Sequence, residues 1–149
     1  MKILLIEPPV SPYDVPTGTF GLPPPYHLER LAGAVVEHHD AAILDMRLDK
    51  GLAAELARFE PDLVGCSCVA ANSHLACDVL RRVKDWRPDC TTVLGGHHPS
   101  LVPLECLTPA VDYVVVGEGE ATLHELAAAL ERADDSAAAV RGIACRDAD

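Results

Sequence analysis

The strongest constraint on this chain is an alternation. Short apolar runs, four to six residues long, are separated from end to end by segments whose apolar residues recur at helical spacing. The runs are Lys2–Ile6, Ala41–Leu44, Asp62–Cys66, Thr91–Leu94 and Val111–Val116. Between them, Leu28, Leu31, Ala32, Val35 and Val36 fall on one helical face, as do Leu52, Leu56 and Phe59. Leu75, Val79, Leu80, Val83 and Trp86 form a third such stripe, with Asn72 or Ser73 as its N-cap. Leu123, Leu126, Ala127 and Leu130 form the last, behind a Thr122/Glu125 capping box. Ser100–Leu107 reads as a short helical turn, 134–140 as a loop and Gly142–Cys145 as a marginal sixth strand. Runs that are apolar throughout belong to strands buried on both sides. The expected fold is therefore α/β: a doubly wound, Rossmann-like or flavodoxin-like parallel sheet of five strands, order 2-1-3-4-5, with helices on both faces.

The chain has 149 residues, so one domain spanning 1–149 is expected, large enough to hold a core without disulfides or metal. Asp and Glu number 23 and Lys and Arg 12, a net charge of −11 that repels phosphate backbones and anionic lipid. Neither nucleic acid nor a membrane is an expected partner. The start shows no signal sequence, and the expected location is cytoplasmic. The six cysteines form no C-x-x-C pair and read as reduced, with Cys66 and Cys68 pointing to one face of their strand as small buried hydrophobes.

Ligands of such sheets bind beyond the carboxyl ends of the strands, where the strand order reverses, here between strands one and three. Unusual segments stand at those ends. Residues 8–25 hold seven of the twelve prolines, a long and stiff loop that reads as functional. Ser67–Asn72 follows strand three, Gly95-Gly96-His97-His98-Pro99-Ser100 follows strand four, and Gly117-Glu118-Gly119-Glu120 follows strand five. Gly95 and Gly96 lack a Cβ, so a flat ligand can lie against their backbone, or they make only a tight turn. Glu118 and Glu120 disfavour phosphate at the last helix and suit the amides or hydroxyls of a neutral ligand, or simply a helix N-terminus.

G-x-G-x-x-G, the phosphate-binding P-loop and the nucleophile elbow are all absent, and Cys66 stands where a phosphoacceptor domain needs an acid. His38-His39 reads as a cationic end to the first helix; His97 and His98 are candidate ligand contacts, and His27 can face the cleft. Adjacent histidines point apart and chelate one metal poorly, and no separated set has metal-ligand spacing.

These segments, in this order, resemble the N-terminal cobalamin-binding domain of B12-dependent radical SAM enzymes. The resemblance rests on Lys2-Ile-Leu-Leu-Ile-Glu-Pro-Pro9, Leu31–Val36, Ile43–Asp45, Pro61–Gly65, Val83-Lys84 with Pro88, Val93–Ser100 and Asp112–Glu120. It implies a cobalamin held between this domain and a catalytic barrel, its dimethylbenzimidazole arm descending between strands one and three. Pro9 would lie at the site, Ser67, Cys68, Val69, Asn72, Gly95 and Gly96 would line the groove beside His97 and His98, and Gly117, Glu118 and Gly119 would border the arm or the corrin amides. The chain lacks the D-x-H-x-x-G whose histidine ligates cobalt in other cobalamin proteins. The resemblance thus implies base-off binding with no protein ligand, or a weak one from Tyr13, Asp14 or Thr17. It also lacks C-x-x-x-C-x-x-C, so the [4Fe-4S] cluster and S-adenosylmethionine would belong to the barrel, in cis or in trans. Two other readings stand beside it: a cofactor-free flavodoxin-like regulatory or interaction domain, and a small hydrolase using His97 or His98 with Ser67 or Ser100.

Overall fold

The computed structural model describes residues 1–10, 22–49, 51–132 and 135–146. Its strands are β1 (Lys2–Glu7), β2 (Asp40–Asp45), β3 (Leu63–Ser67), β4 (Thr91–Gly95), β5 (Tyr113–Val115) and β6 (Ile143–Cys145). Its helices are α1 (Tyr26–Val35), α2 (Leu52–Phe59), α3 (Ser73–Trp86), α4 (His97–Leu101) and α5 (Glu120–Arg132). The sheet order is β2-β1-β3-β4-β5-β6. The first five strands are parallel in the expected order; β6 is added at the edge, antiparallel to β5, with Ile143 opposite Val115 and Cys145 opposite Tyr113.

Strand side chains alternate between two cores, as period-two geometry requires. Leu4, Ile6, Val64, Cys66, Leu94 and Val114 join Leu52 and Leu56 of α2 and Val79, Leu80 and Val83 of α3 on one face. Ile3, Leu5, Leu63, Val93 and Val115 join Leu28 and Val35 of α1 and Leu123, Leu126 and Ala127 of α5 on the other. Cys66 and Cys68 both lie in the first core.

Several local expectations change. α1 ends at Val35, leaving Val36 exposed. His39 is buried, with Nδ1 3.4 Å from Glu131 Oε1, and burial lowers its pKa, so it does not supply the cation expected at that helix end. Asn72 stands at the N-cap position of α3, but its side chain makes no cap bond: its Oδ1 accepts from the Val69 N–H at 2.9 Å and closes the 3-10 turn Ala70–Asn72. Thr122 lies inside α5, which begins at Glu120, and its hydroxyl donates to the Arg141 carbonyl, fastening the approach to β6. The residues of the expected loop from 135 to 139 form a 3-10 helix. The turn expected at Ser100–Leu107 is helical earlier, over His97–Leu101.

Below the strands, at their amino ends, Asp112 Oδ2 accepts from Lys84 Nζ at 2.6 Å, Thr92 N at 2.8 Å and Thr92 Oγ1 at 2.9 Å. Thr92 is fully buried. This junction ties α3, β4 and β5 at the end opposite the loops of interest. Asp112→Ala strands a buried N–H and hydroxyl, and is expected to lower unfolding free energy by about 2 kcal/mol in urea titrations; Asp112→Asn, which keeps an acceptor, loses less.

Candidate functional site

At the carboxyl ends of the strands two connected cavities open. The inner one is a narrow apolar slot between α1 and α5, enclosing about 430 Å³ with its open mouth. Its walls are Leu5, Leu28, Leu31, Val93, Val115 and Leu123, and Gly65, Gly95, Gly96 and Gly119 also line it. It reaches from β1 to β5, with β3 and β4 under its middle, wider than the expected gap between strands one and three. The outer cleft encloses about 1190 Å³ and is polar at its rim, with Glu7, His27, Arg30, Asn72, His97, Glu118 and Glu120 among its lining residues. Leu31, Ser67, Gly96, Gly117 and Glu118 border both cavities.

Glycines inside strands explain why the slot exists. A Cβ on Gly95 would meet only the Val115 Cβ, at 3.8 Å, and one on Gly65 only the Leu5 Cδ2, at 3.0 Å. Neither has a positive φ, so the backbone does not require glycine at either place. Strand glycines cost stability and mark close approach of another group. Gly96 differs: its φ is +106°, and a Cβ there would lie 2.5 Å from the Cys68 carbonyl oxygen. That crossing brings the β3 and β4 loops together, with Cys68 N–H donating to Gly95 O at 2.9 Å.

Ser100 fixes the third side. Its hydroxyl donates to Gly96 O at 2.8 Å and accepts from Gly117 N–H at 3.0 Å. The hydroxyl is thus spent on joining two loops, which removes Ser100 from the hydrolase reading. Burial pushes the Cys68 thiol up to about 12 and Cys66 well above its usual range, so both stay neutral near pH 7 and are poor nucleophiles and metal ligands. Among the described residues no group of three His, Cys, Asp or Glu is arranged to hold a metal ion.

Of the residues singled out in the sequence, Ser67, Gly96, Gly117 and Glu118 border both cavities, Cys68, Val69, Asn72 and His97 the outer cleft, and Gly95 and Gly119 the slot. Pro9 and His98 line neither. Tyr13, Asp14 and Thr17 lie outside the described residues. Sequence reading missed Gly65, although a glycine within a strand pattern is itself a signal. It also missed Arg30 and the leucine walls, which look like ordinary helix residues until α1 and α5 are set side by side.

The model of the B12 binding domain family matches residues 20–127. This chain belongs to the B12-binding domain family, and cobalamin is its cofactor. It is 38% identical over 146 residues to a protein of Pyrococcus horikoshii described as an uncharacterized methyltransferase, covering 89% of this chain and 30% of that protein. It is 31% identical over 137 residues to the anaerobic magnesium-protoporphyrin IX monomethyl ester cyclase of Cereibacter sphaeroides, covering 85% of this chain and 22% of the cyclase. The chain therefore spans less than a third of these relatives. The RcsB response regulator of Salmonella typhimurium superposes with a TM-score of 0.62 at 11% identity, covering 94% of this chain and 66% of that one, which is a likeness of fold.

The crossing at Gly96 generates a prediction. Gly96→Ala is expected to destabilise the chain by at least about 2 kcal/mol, read as a lowered denaturation midpoint, because it combines strain at positive φ with a backbone clash.

Proposed function

We propose that residues 1–149 form the cobalamin-binding module of a B12-dependent radical SAM enzyme such as a methyltransferase. In this reading cobalamin binds base-off, with no histidine beneath cobalt. The observation that carries it is the cradle at Gly95, where a side chain would have room and its absence leaves an apolar slot that the fold does not itself demand. A flat, largely apolar dimethylbenzimidazole suits such walls. Admitting it would require the side chains of Leu28, Leu31 and Leu123 that wall the slot to take other staggered rotamers. At the outer cleft, Asn72, Glu118 and the loop backbone would meet the amides of the corrin. When bound, the cofactor supplies cobalt chemistry such as alkyl transfer. This chain's residues hold the arm, exclude water from it and orient the ring.

The rim supports a covering partner. Among the described residues, the exposed apolar side chains Val10, Leu48, Val69 and Val116 sit on connections that follow strand carboxyl ends, and Tyr26 opens α1 at the same end. Grouped apolar exposure around a site marks an interaction surface. The barrel that carries the [4Fe-4S] cluster and S-adenosylmethionine fits there, in cis or in trans. No helix among the described residues is long and apolar enough to cross a membrane, and the reading places the enzyme in the cytoplasm.

Titration with hydroxocobalamin tests this. Expected are corrinoid retained through gel filtration, a melting temperature that rises with ligand, and an absorbance spectrum of the base-off form. Failure of retention together with an unmoved melting temperature would sink the proposal; a base-on spectrum would remove its base-off part. Gly95→Leu plugs the slot and is expected to abolish retention while the unliganded melting temperature holds or rises, since the new side chain fills apolar space.

A further inference from the structure

The outer cleft is acidic where the proposed arm carries an anion. Glu7, Glu118 and Glu120 line it, and Arg30 is the one Lys or Arg among its described lining residues. The nucleotide arm of cobalamin contains a phosphodiester, which the apolar slot cannot solvate. With the base in the slot, the phosphodiester would pass the residues common to both cavities, Leu31, Ser67, Gly96, Gly117 and Glu118. Arg30 stands next to Leu31 in sequence, and it shares a helix face with His27, three residues earlier, which also lines the cleft. Its guanidinium is held by Glu120 Oε1 at 2.6 Å, and its side chain is 68% exposed. Glu120 is less open, its side chain 26% exposed, but with Arg30 largely solvated the pair contributes little to stability. A guanidinium fork matches a phosphate geometrically, which a lone ammonium does not.

We propose that Arg30 receives the phosphodiester of the nucleotide arm, leaving Glu120 to do so. Glu120 is then a competing intramolecular anion that keeps Arg30 at the cleft until the arm arrives. The inference rests on the base-in-slot reading above. It assigns opposite roles to the two partners of one ion pair: Arg30 favours the arm and Glu120 opposes it. A pair that merely braced α1 against α5 would give both the same sign.

The test is a double-mutant cycle of Arg30→Gln and Glu120→Gln on this chain, with dissociation constants for hydroxocobalamin and for dicyanocobinamide, which has no nucleotide arm. Arg30→Gln is expected to weaken cobalamin about tenfold and to leave cobinamide unchanged. Glu120→Gln is expected to tighten cobalamin in the parent and to lose most of that gain beside Arg30→Gln. Melting temperatures of both single variants should stay near the parent's. Cobalamin affinity unmoved by Arg30→Gln, equal loss for both corrinoids, or weakening by Glu120→Gln would each overturn the assignment while leaving cobalamin binding standing. A parent chain that binds neither corrinoid would instead overturn the function proposed above.

Discussion

A parallel sheet buried on both faces leaves few places for a vacancy, and this chain puts its vacancy where side chains are missing from the strands themselves. Helices α1 and α5 close over one face along Leu28, Val35, Leu126 and Ala127. At the carboxyl end of β4, Gly95 removes a side chain that would complete that packing, while Leu5 packs against Gly65 in β3. Close-packed interiors collapse around small gaps; this one persists because its floor is hydrogen-bonded strand backbone and its walls belong to two separate helices.

The surrounding loops divide into a rigid part and a responsive part. Gly96, Cys68, Ser100 and Gly117 are joined by main-chain and hydroxyl hydrogen bonds that fix the β3, β4 and β5 loops relative to one another. Polar side chains on the opposite rim pair across the mouth, His27 Nε2 lying 2.9 Å from Glu7 Oε2 and Arg30 with Glu120 at 2.6 Å. A preorganised floor beneath adjustable charges admits a ligand that has an apolar end and a polar middle.

Much of the fold was legible because it depends on periodicity. The apolar runs and helical stripes located all five parallel strands and the four longer helices, and the known connection rules then supplied their order. What escaped depends on contacts between distant segments. Thr122 looks like half of a capping box, yet its hydroxyl serves Arg141, because α5 begins earlier and β6 folds back beside it. Asn72 stands at the N-cap of α3, yet its side chain closes the preceding turn instead of bonding the helix. At the site, Gly95, Gly96, Gly117 and Glu118 could be read from unusual composition at strand ends. Arg30, Leu28 and Leu31 could not, since a leucine in an amphipathic helix reads the same whether it covers a core or an opening.

The reversed direction of β6 carries a topological consequence. After α5 the chain returns to the cleft end, where Gly142 O accepts from Val116 N–H, and β6 then descends alongside β5. The guanidinium of Arg146 reaches the Thr108 carbonyl and lies 4.0 Å from Asp112 Oδ1, at the pole remote from the opening. From Arg146 back to the opening the distance is the length of the three-residue edge strand β6, roughly 10 Å at about 3.4 Å per residue.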